Sequence, residues 1–238
     1  MKYNINYTID ESKFKEIEFK GHKFFVLKNS IHKDKNKDFY NMGYANHSGN
    51  SSNRPETIYN DIKKYINKDD FILELGSGEG DFAFNLFLNH KNNIRYLGID
   101  IVPDLIEVSK LNIPSYKFKK FDLNDELVIT YDKVDVVIAL GCPHPKNVFT
   151  WTNMKKIYNP LYIIIETRDS GSDYYNSVFP AYHELLKNDY ELTETINYNF
   201  DFGFNSKRKL VVYKRKSSYK YIYLYIYKYI YIYIYELE

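Results

Sequence analysis

The sequence predicts an α/β fold: a mostly parallel sheet with helices on both faces, closed by an antiparallel hairpin. Three observations carry this prediction. From about residue 53 onward, short apolar runs of strand length alternate with segments of helical periodicity. Several of those runs are apolar throughout, as strands buried on both faces are. The order changes only near the end, where "YELTETINYNF" and "KRKLVVYKRK" face each other across "DFGFNS", the pattern of a hairpin.

The elements follow in order. "NRPETIYNDIKKYINK" has Asn53 as a candidate cap, Pro55 in the first turn, and Ile58, Ile62 and Ile66 at four-residue spacing, which predicts a helix. "DFILEL" predicts a strand, "DFAFNLFLNH" a helix and "IRYLGID" a strand ending at Asp100. "VPDLIEVSKLN" predicts a helix opened by Pro103, "SYKFKKFDL" a strand and "KVDVVIALG" a strongly apolar strand. "NVFTWTNMKKIYN" then predicts a helix and "PLYIIIETR" a buried strand. "DYYNSVFPAYHELLKND" predicts a helix with a distortion at Pro180. Ahead of all these, "EIEFKGHKFFVL" predicts a hairpin turning near Gly21, and "NMGYANHSGNSSN" a Gly/Asn/Ser-rich loop. The chain thus divides into a leading extension or substrate lid (1–52), a ligand-binding domain (53–216) and a tail (217–238). In the tail, Tyr alternates with Ile, Leu and Lys from Tyr219 to Tyr235. A run so rich in Tyr hydroxyls and broken by Lys228 suits a low-complexity extension better than a membrane anchor.

Composition narrows the function classes. The 238 residues suffice for one sizeable α/β domain. A net charge of +2 gives no general pull toward nucleic acid or an anionic membrane. The basic runs "KFKK" and "KRKLVVYKRK" are expected to be solvated edges. Cys142 is the single cysteine, so an intrachain disulfide is impossible, and "MKYNINYTIDESKFKE" lacks the apolar stretch of a secretory signal. Both suit a cytoplasmic protein. The six histidines and one cysteine show no metal-ligand spacing.

Directly after the first buried strand comes "LELGSGEG", with Glu74, Gly76, Gly78 and Gly80. Gly76 and Gly78 allow a sharp turn that presents bare backbone to a ligand. Gly80 is expected to let the next helix sit close to the sheet. Asp100 lies 24 residues beyond Gly76, at the end of the second strand. In a doubly wound sheet that carboxylate stands beside the glycine loop and can accept from a ribose diol. A dinucleotide pyrophosphate prefers a helix N-terminus without nearby carboxylates. Here Glu74, Glu79 and Asp81 crowd the loop, which favours a ligand with positive charge over NAD.

"LELGSGEG" followed by "YLGID" resembles the first two motifs of the class I S-adenosylmethionine-dependent methyltransferases. "FDLND" (121–125) and "DVVIALG" (135–141) are similar to the third and fourth. The resemblance covers about residues 55–216 and implies a Rossmann-like seven-stranded sheet binding S-adenosylmethionine. It also implies roles. Gly76 and Gly78 would contact the amino-acid end of the cofactor, with Glu74 supporting that end through water, and Gly80 would complete the cofactor-binding loop. Asp100 would hold both ribose hydroxyls, and Ile101 would pack on the adenine. Asp122 would accept from the adenine amino group, with the backbone of Leu123 nearby.

For the acceptor side, "LGCPHPK" follows the fourth strand, where the donor methyl should lie. It is neither the D/N-P-P-Y of base-amino methylating enzymes nor the P-C of cytosine-C5 enzymes, so Cys142 is expected to be a small buried residue. His144 is the candidate base, because imidazole titrates near neutral pH. Glu166 could orient His144 or the acceptor, or simply pair with Arg168. His47 could belong to a lid, and His183 is expected to be structural. The expected activity is methyl transfer to oxygen or nitrogen of a small molecule. The alternatives are an RNA or protein methyltransferase, a non-catalytic cofactor-binding scaffold and, less favoured, an NAD(P)-dependent oxidoreductase.

Overall fold

The computed structural model describes residues 12, 14–19, 21–27, 54–91, 93–123, 133–140, 152, 158–169, 178–201 and 205–217. Its centre is a seven-stranded sheet. The strands are β3 (Phe71–Leu75), β4 (Arg95–Asp100), β5 (Lys117–Lys120), β6 (Val136–Leu140), β7 (Tyr162–Asp169), β8 (Tyr190–Asp201) and β9 (Asn205–Arg215), following the hairpin of β1 (Phe14–Phe19) and β2 (His22–Leu27). The spatial order is β5-β4-β3-β6-β7-β9-β8. The pairs from β5 to β7 are parallel, whereas β9 is antiparallel to both its neighbours. The fold is therefore the mostly parallel, Rossmann-like sheet the alternation predicts, with the closing antiparallel pair.

Helices α1 (Arg54–Ile62), α2 (Asp81–His90), α3 (Pro103–Asn112) and α4 (Val178–Leu186) flank the sheet. Alternate residues of each strand point to opposite faces, which makes two cores. Ile72, Ile138 and Ile164 join Ile58, Ile62, Phe82 and Leu86 on the face of α1 and α2. Leu73, Val137 and Ile165 join Tyr182 and Leu186 of α4 on the other.

Local chemistry explains the ends. α1 stops at Ile62 and tightens into a 3₁₀ turn over Lys63–Tyr65. Ile66 is thus buried from extended backbone rather than from the helix its spacing suggested. α3 opens on Pro103, whose missing amide hydrogen costs nothing at a first position. Pro180 stands in the first turn of α4. There it displaces no intrahelical donor, so the distortion expected at that position is not needed. The predicted helix over 147–159, the Gly/Asn/Ser loop and the Tyr/Ile tail lie outside the described residues, apart from Thr152, Tyr158 and Asn159. Among the described residues, no helix is long and apolar enough to cross a membrane.

Candidate functional site

The chain runs outward from β3 to β4 and β5, then returns to β6 on the other side of β3. Strand order reverses beside β3, and ligands of doubly wound sheets sit beyond the carboxyl ends at such a point. The glycine loop stands there. Gly76, Gly78 and Gly80 all have positive φ (68°, 56° and 81°), a region costly for residues with a Cβ.

The loop's amides turn inward. Gly76 and Ser77 N–H donate to Ile99 O (2.8 and 3.0 Å), and Gly80 N–H donates to Ser77 O (3.0 Å). Gly78 N–H donates to Asp100 Oδ2 (3.0 Å), while Asp100 Oδ1 accepts from Val102 N–H (3.0 Å). Asp100 is thus buried against the loop and holds its shape. A pyrophosphate site needs loop amides directed at the ligand. Here those of Gly76, Ser77, Gly78 and Gly80 serve protein oxygens, with Glu79 and Asp81 alongside. The donor set suits a ligand with a cationic centre and a diol.

The predicted residues fall in two groups. Ile101, directly after β4, is a large apolar side chain 39% exposed. Asp122 and Leu123 are half-buried beyond β5, and Leu123 packs on the second core. With Asp100 and the glycines, they share the carboxyl edge of β3, β4 and β5. Glu74, at the end of β3, is set below the loop. It is buried on the α1–α2 face and accepts a short hydrogen bond from Tyr96 OH. Burial, reinforced by the Glu74 charge, pushes the Tyr96 phenol well above its ordinary pKa, so it remains a donor. Tyr96 also stacks on Tyr116 at 4.8 Å.

Glu166 stands near the end of β7, as the predicted strand "PLYIIIETR" places it. Pairing with β9 carries β7 on to Asp169. Glu166 is fully buried and pairs with Arg208 of β9 (Oε2 to Nη1, 3.0 Å). Arg208 lies on the neighbouring strand, 42 residues further along the chain. His183 Nδ1 lies 3.2 Å from Tyr213 OH in the second core, in keeping with a structural role. His47, Cys142 and His144 lie outside the described residues.

Two supports of the loop were missed by sequence reasoning. A Cβ at Gly80 would meet Ile113 and Ser109 at 3.3 Å, so the element pressing on Gly80 is α3, not the sheet. The close approach to the sheet is at Gly98 of β4, where a Cβ would lie 2.8 Å from the Ser77 side chain and 2.7 Å from Phe118. An isolated glycine inside a strand is the signal that could have found it. From α3, Ser109 Oγ donates to Gly78 O (2.9 Å) and Asn112 Nδ2 to Glu79 O (3.1 Å). No sequence pattern marks these two.

A family profile described as a methyltransferase domain matches residues 66–198. In sequence, none of the curated proteins compared matches the chain. Solved structures do match its fold. Magnesium protoporphyrin IX methyltransferase of Synechocystis, with bound S-adenosylhomocysteine, is 12% identical with a TM-score of 0.59, covering 76% of this chain and 96% of its own. The N-methyltransferase NodS of Bradyrhizobium japonicum, also with S-adenosylhomocysteine, is 12% identical with a TM-score of 0.58, covering 73% and 92%. The PH0226 protein of Pyrococcus horikoshii is 17% identical with a TM-score of 0.56, covering 72% and 93%. The chain belongs to the methyltransferase domain family: it is a class I enzyme that uses S-adenosylmethionine.

Proposed function

We propose that this enzyme methylates an oxygen or nitrogen of a small-molecule acceptor, in the cytoplasm, through a site on the carboxyl edge of β3, β4 and β5. The observation that carries the assignment of the site is the inward bonding of the glycine loop to Asp100. It leaves backbone and carboxylate, rather than a row of amides, to meet the ligand. The proposal divides the chain as its sequence suggests: a leading extension that covers the substrate (1–52), the methyltransferase domain (53–216) and a Tyr/Ile tail (217–238).

S-adenosylmethionine supplies a methyl group on a sulfonium. Asp100 accepts from the ribose hydroxyls, Ile101 offers its exposed side chain to the adenine face, and Asp122 accepts from the adenine amino group beside the Leu123 backbone. Gly76, Gly78 and Gly80 let the amino-acid end approach the chain, with Glu74 fixed beneath them by Tyr96. His144 takes the proton that the acceptor loses as it attacks. Such a base contributes about 10²–10⁴ in rate. Glu166, its charge balanced by Arg208, acts as a positioning residue at the acceptor end of β7. Alignment of acceptor and donor contributes much of the remaining acceleration.

Titration calorimetry with S-adenosylmethionine, S-adenosylhomocysteine and NAD tests the cofactor site: heat is expected from the first two and not from NAD. Binding of NAD alone would overturn the reading. A methyl-transfer screen against metabolite, RNA and protein pools tests the acceptor class, and transfer confined to RNA or protein would replace the small molecule. His144→Ala should slow transfer more than it weakens cofactor binding and should remove the acid limb of the pH–rate profile. Wild-type turnover at every pH would end the assignment of His144.

A further inference from the structure

The β1–β2 hairpin is joined to the glycine loop through one side chain. Asn112, the last residue of α3, is buried. Its Oδ1 accepts from Phe25 N–H (2.7 Å), and its Nδ2 donates to Phe25 O (3.0 Å) and to Glu79 O (3.1 Å). Phe25 lies on β2, so Asn112 pairs with it as another strand would, while its second N–H holds the Glu79 peptide. All three bonds need an amide, because only an amide offers two donors and an acceptor together.

A separate contact reaches the helix that follows the loop. Phe24 and His22 of β2 meet the Phe84 ring edge-on, with centroids 5.2 and 5.6 Å away. Phe84 N–H donates to Gly80 O (2.8 Å), so this residue closes the first turn of α2. Phe24 is buried in the first core. The hairpin is therefore tied to the end of the glycine loop twice, through Asn112 to Glu79 and through Phe84 to the turn that follows Gly80. This is more than a leading extension needs merely to cover a substrate.

We propose that the β1–β2 hairpin is part of the cofactor site, and that Asn112 is the positioning residue through which it fixes the Glu79 peptide. The proposal rests on the reading that the glycine loop binds S-adenosylmethionine. Coupling of this kind is reciprocal: hairpin docking tightens the loop on the cofactor, and bound cofactor holds the hairpin.

Two measurements test it. Asn112→Asp is nearly isosteric, but its carboxylate cannot donate to the Phe25 and Glu79 carbonyls. Calorimetry should show its Kd for S-adenosylmethionine raised about tenfold, or about 1.4 kcal/mol. Its kcat at saturating cofactor should change far less, a split that general destabilisation would not produce. On the wild type, saturating S-adenosylmethionine should slow amide hydrogen exchange over residues 22–27. Absence of that protection overturns the proposal even if the variant fails to fold. A folded variant with wild-type Kd also overturns it. A wild-type chain that gives no heat with S-adenosylmethionine removes the cofactor-site reading first, and the hairpin link with it.

Discussion

Asp100 shapes the glycine loop with a single side chain. Its two oxygens each accept a backbone amide, from Gly78 and from Val102. A carboxylate offers about four acceptor sites, so a ribose diol can be added to these bonds. Asp100→Ala is therefore expected to raise the S-adenosylmethionine Kd more than tenfold and also to lower Tm, since two amides lose a charged acceptor worth about 1.5–3 kcal/mol each. A folded variant with unchanged affinity would refute the assignment. Gly98 is the complementary case, important for what it lacks. Gly98→Ala drives a methyl into Ser77 and Phe118, and should cost about 1–3 kcal/mol by denaturant unfolding. Adding Ser77→Gly should recover part of that loss. No recovery would mean that Phe118 alone sets the limit.

At the scale of elements, β9 is the strand that departs from the parallel order, and it carries charge into the sheet. Arg208 meets Glu166 of β7 with both side chains buried. Removing one member of such a pair leaves a buried charge without its counterion, at a cost of about 3–5 kcal/mol, whereas replacing both is often neutral. Arg208→Met should accordingly destabilise by that amount, and Glu166→Leu combined with Arg208→Met should restore most of it. A double variant as unstable as the single one would show that the pair does not act as a unit. On β8, Glu194 binds Lys64 and Tyr65, and Tyr198 OH donates to Asp61. Polar contacts with α1 and the 3₁₀ turn after it thus reach this edge strand.

For the molecule as a whole, pH reports on packing between helices. His90, in the last turn of α2, is hydrogen-bonded to Tyr59 of α1 (2.9 Å), and burial lowers its pKa. The folded state therefore binds the proton less readily than the unfolded chain, whose histidine titrates near about pH 6.5. The stability that follows is present above that pH and is lost as pH falls toward the lower folded value. Asp70 acts in the opposite sense. Burial, aided by the Asp135 charge, raises its pKa, so it favours folding as pH falls, in the more acid carboxylate range. Urea unfolding between about pH 7 and 5 should show stability decreasing, and His90→Gln should flatten the slope. An unchanged slope would show that His90 is not its source.

Most of the parallel sheet was legible because β3, β4 and β6 are buried on both faces and need only their own apolar runs to declare themselves, whereas the edge strand β5 buries only Phe118. The glycine loop was legible because positive φ at Gly76, Gly78 and Gly80 demands a residue type, and Asp100 because it ends a strand at a set distance from them. The partners were not legible. Glu166 lies 42 residues from Arg208, and Asn112 lies 87 from Phe25; hydrogen bonding over such separations leaves no local pattern. Gly80 stands in the glycine loop and Gly98 alone inside a strand, but only the packed α3 and β5 show which surface each one admits. The sequence by itself determined the order of the described elements and the class of cofactor, since these follow from local propensity and side-chain chemistry. Tertiary structure alone decided which charges meet, where the strand after β8 inserts and how the hairpin reaches the loop, because those depend on close packing between segments remote along the chain.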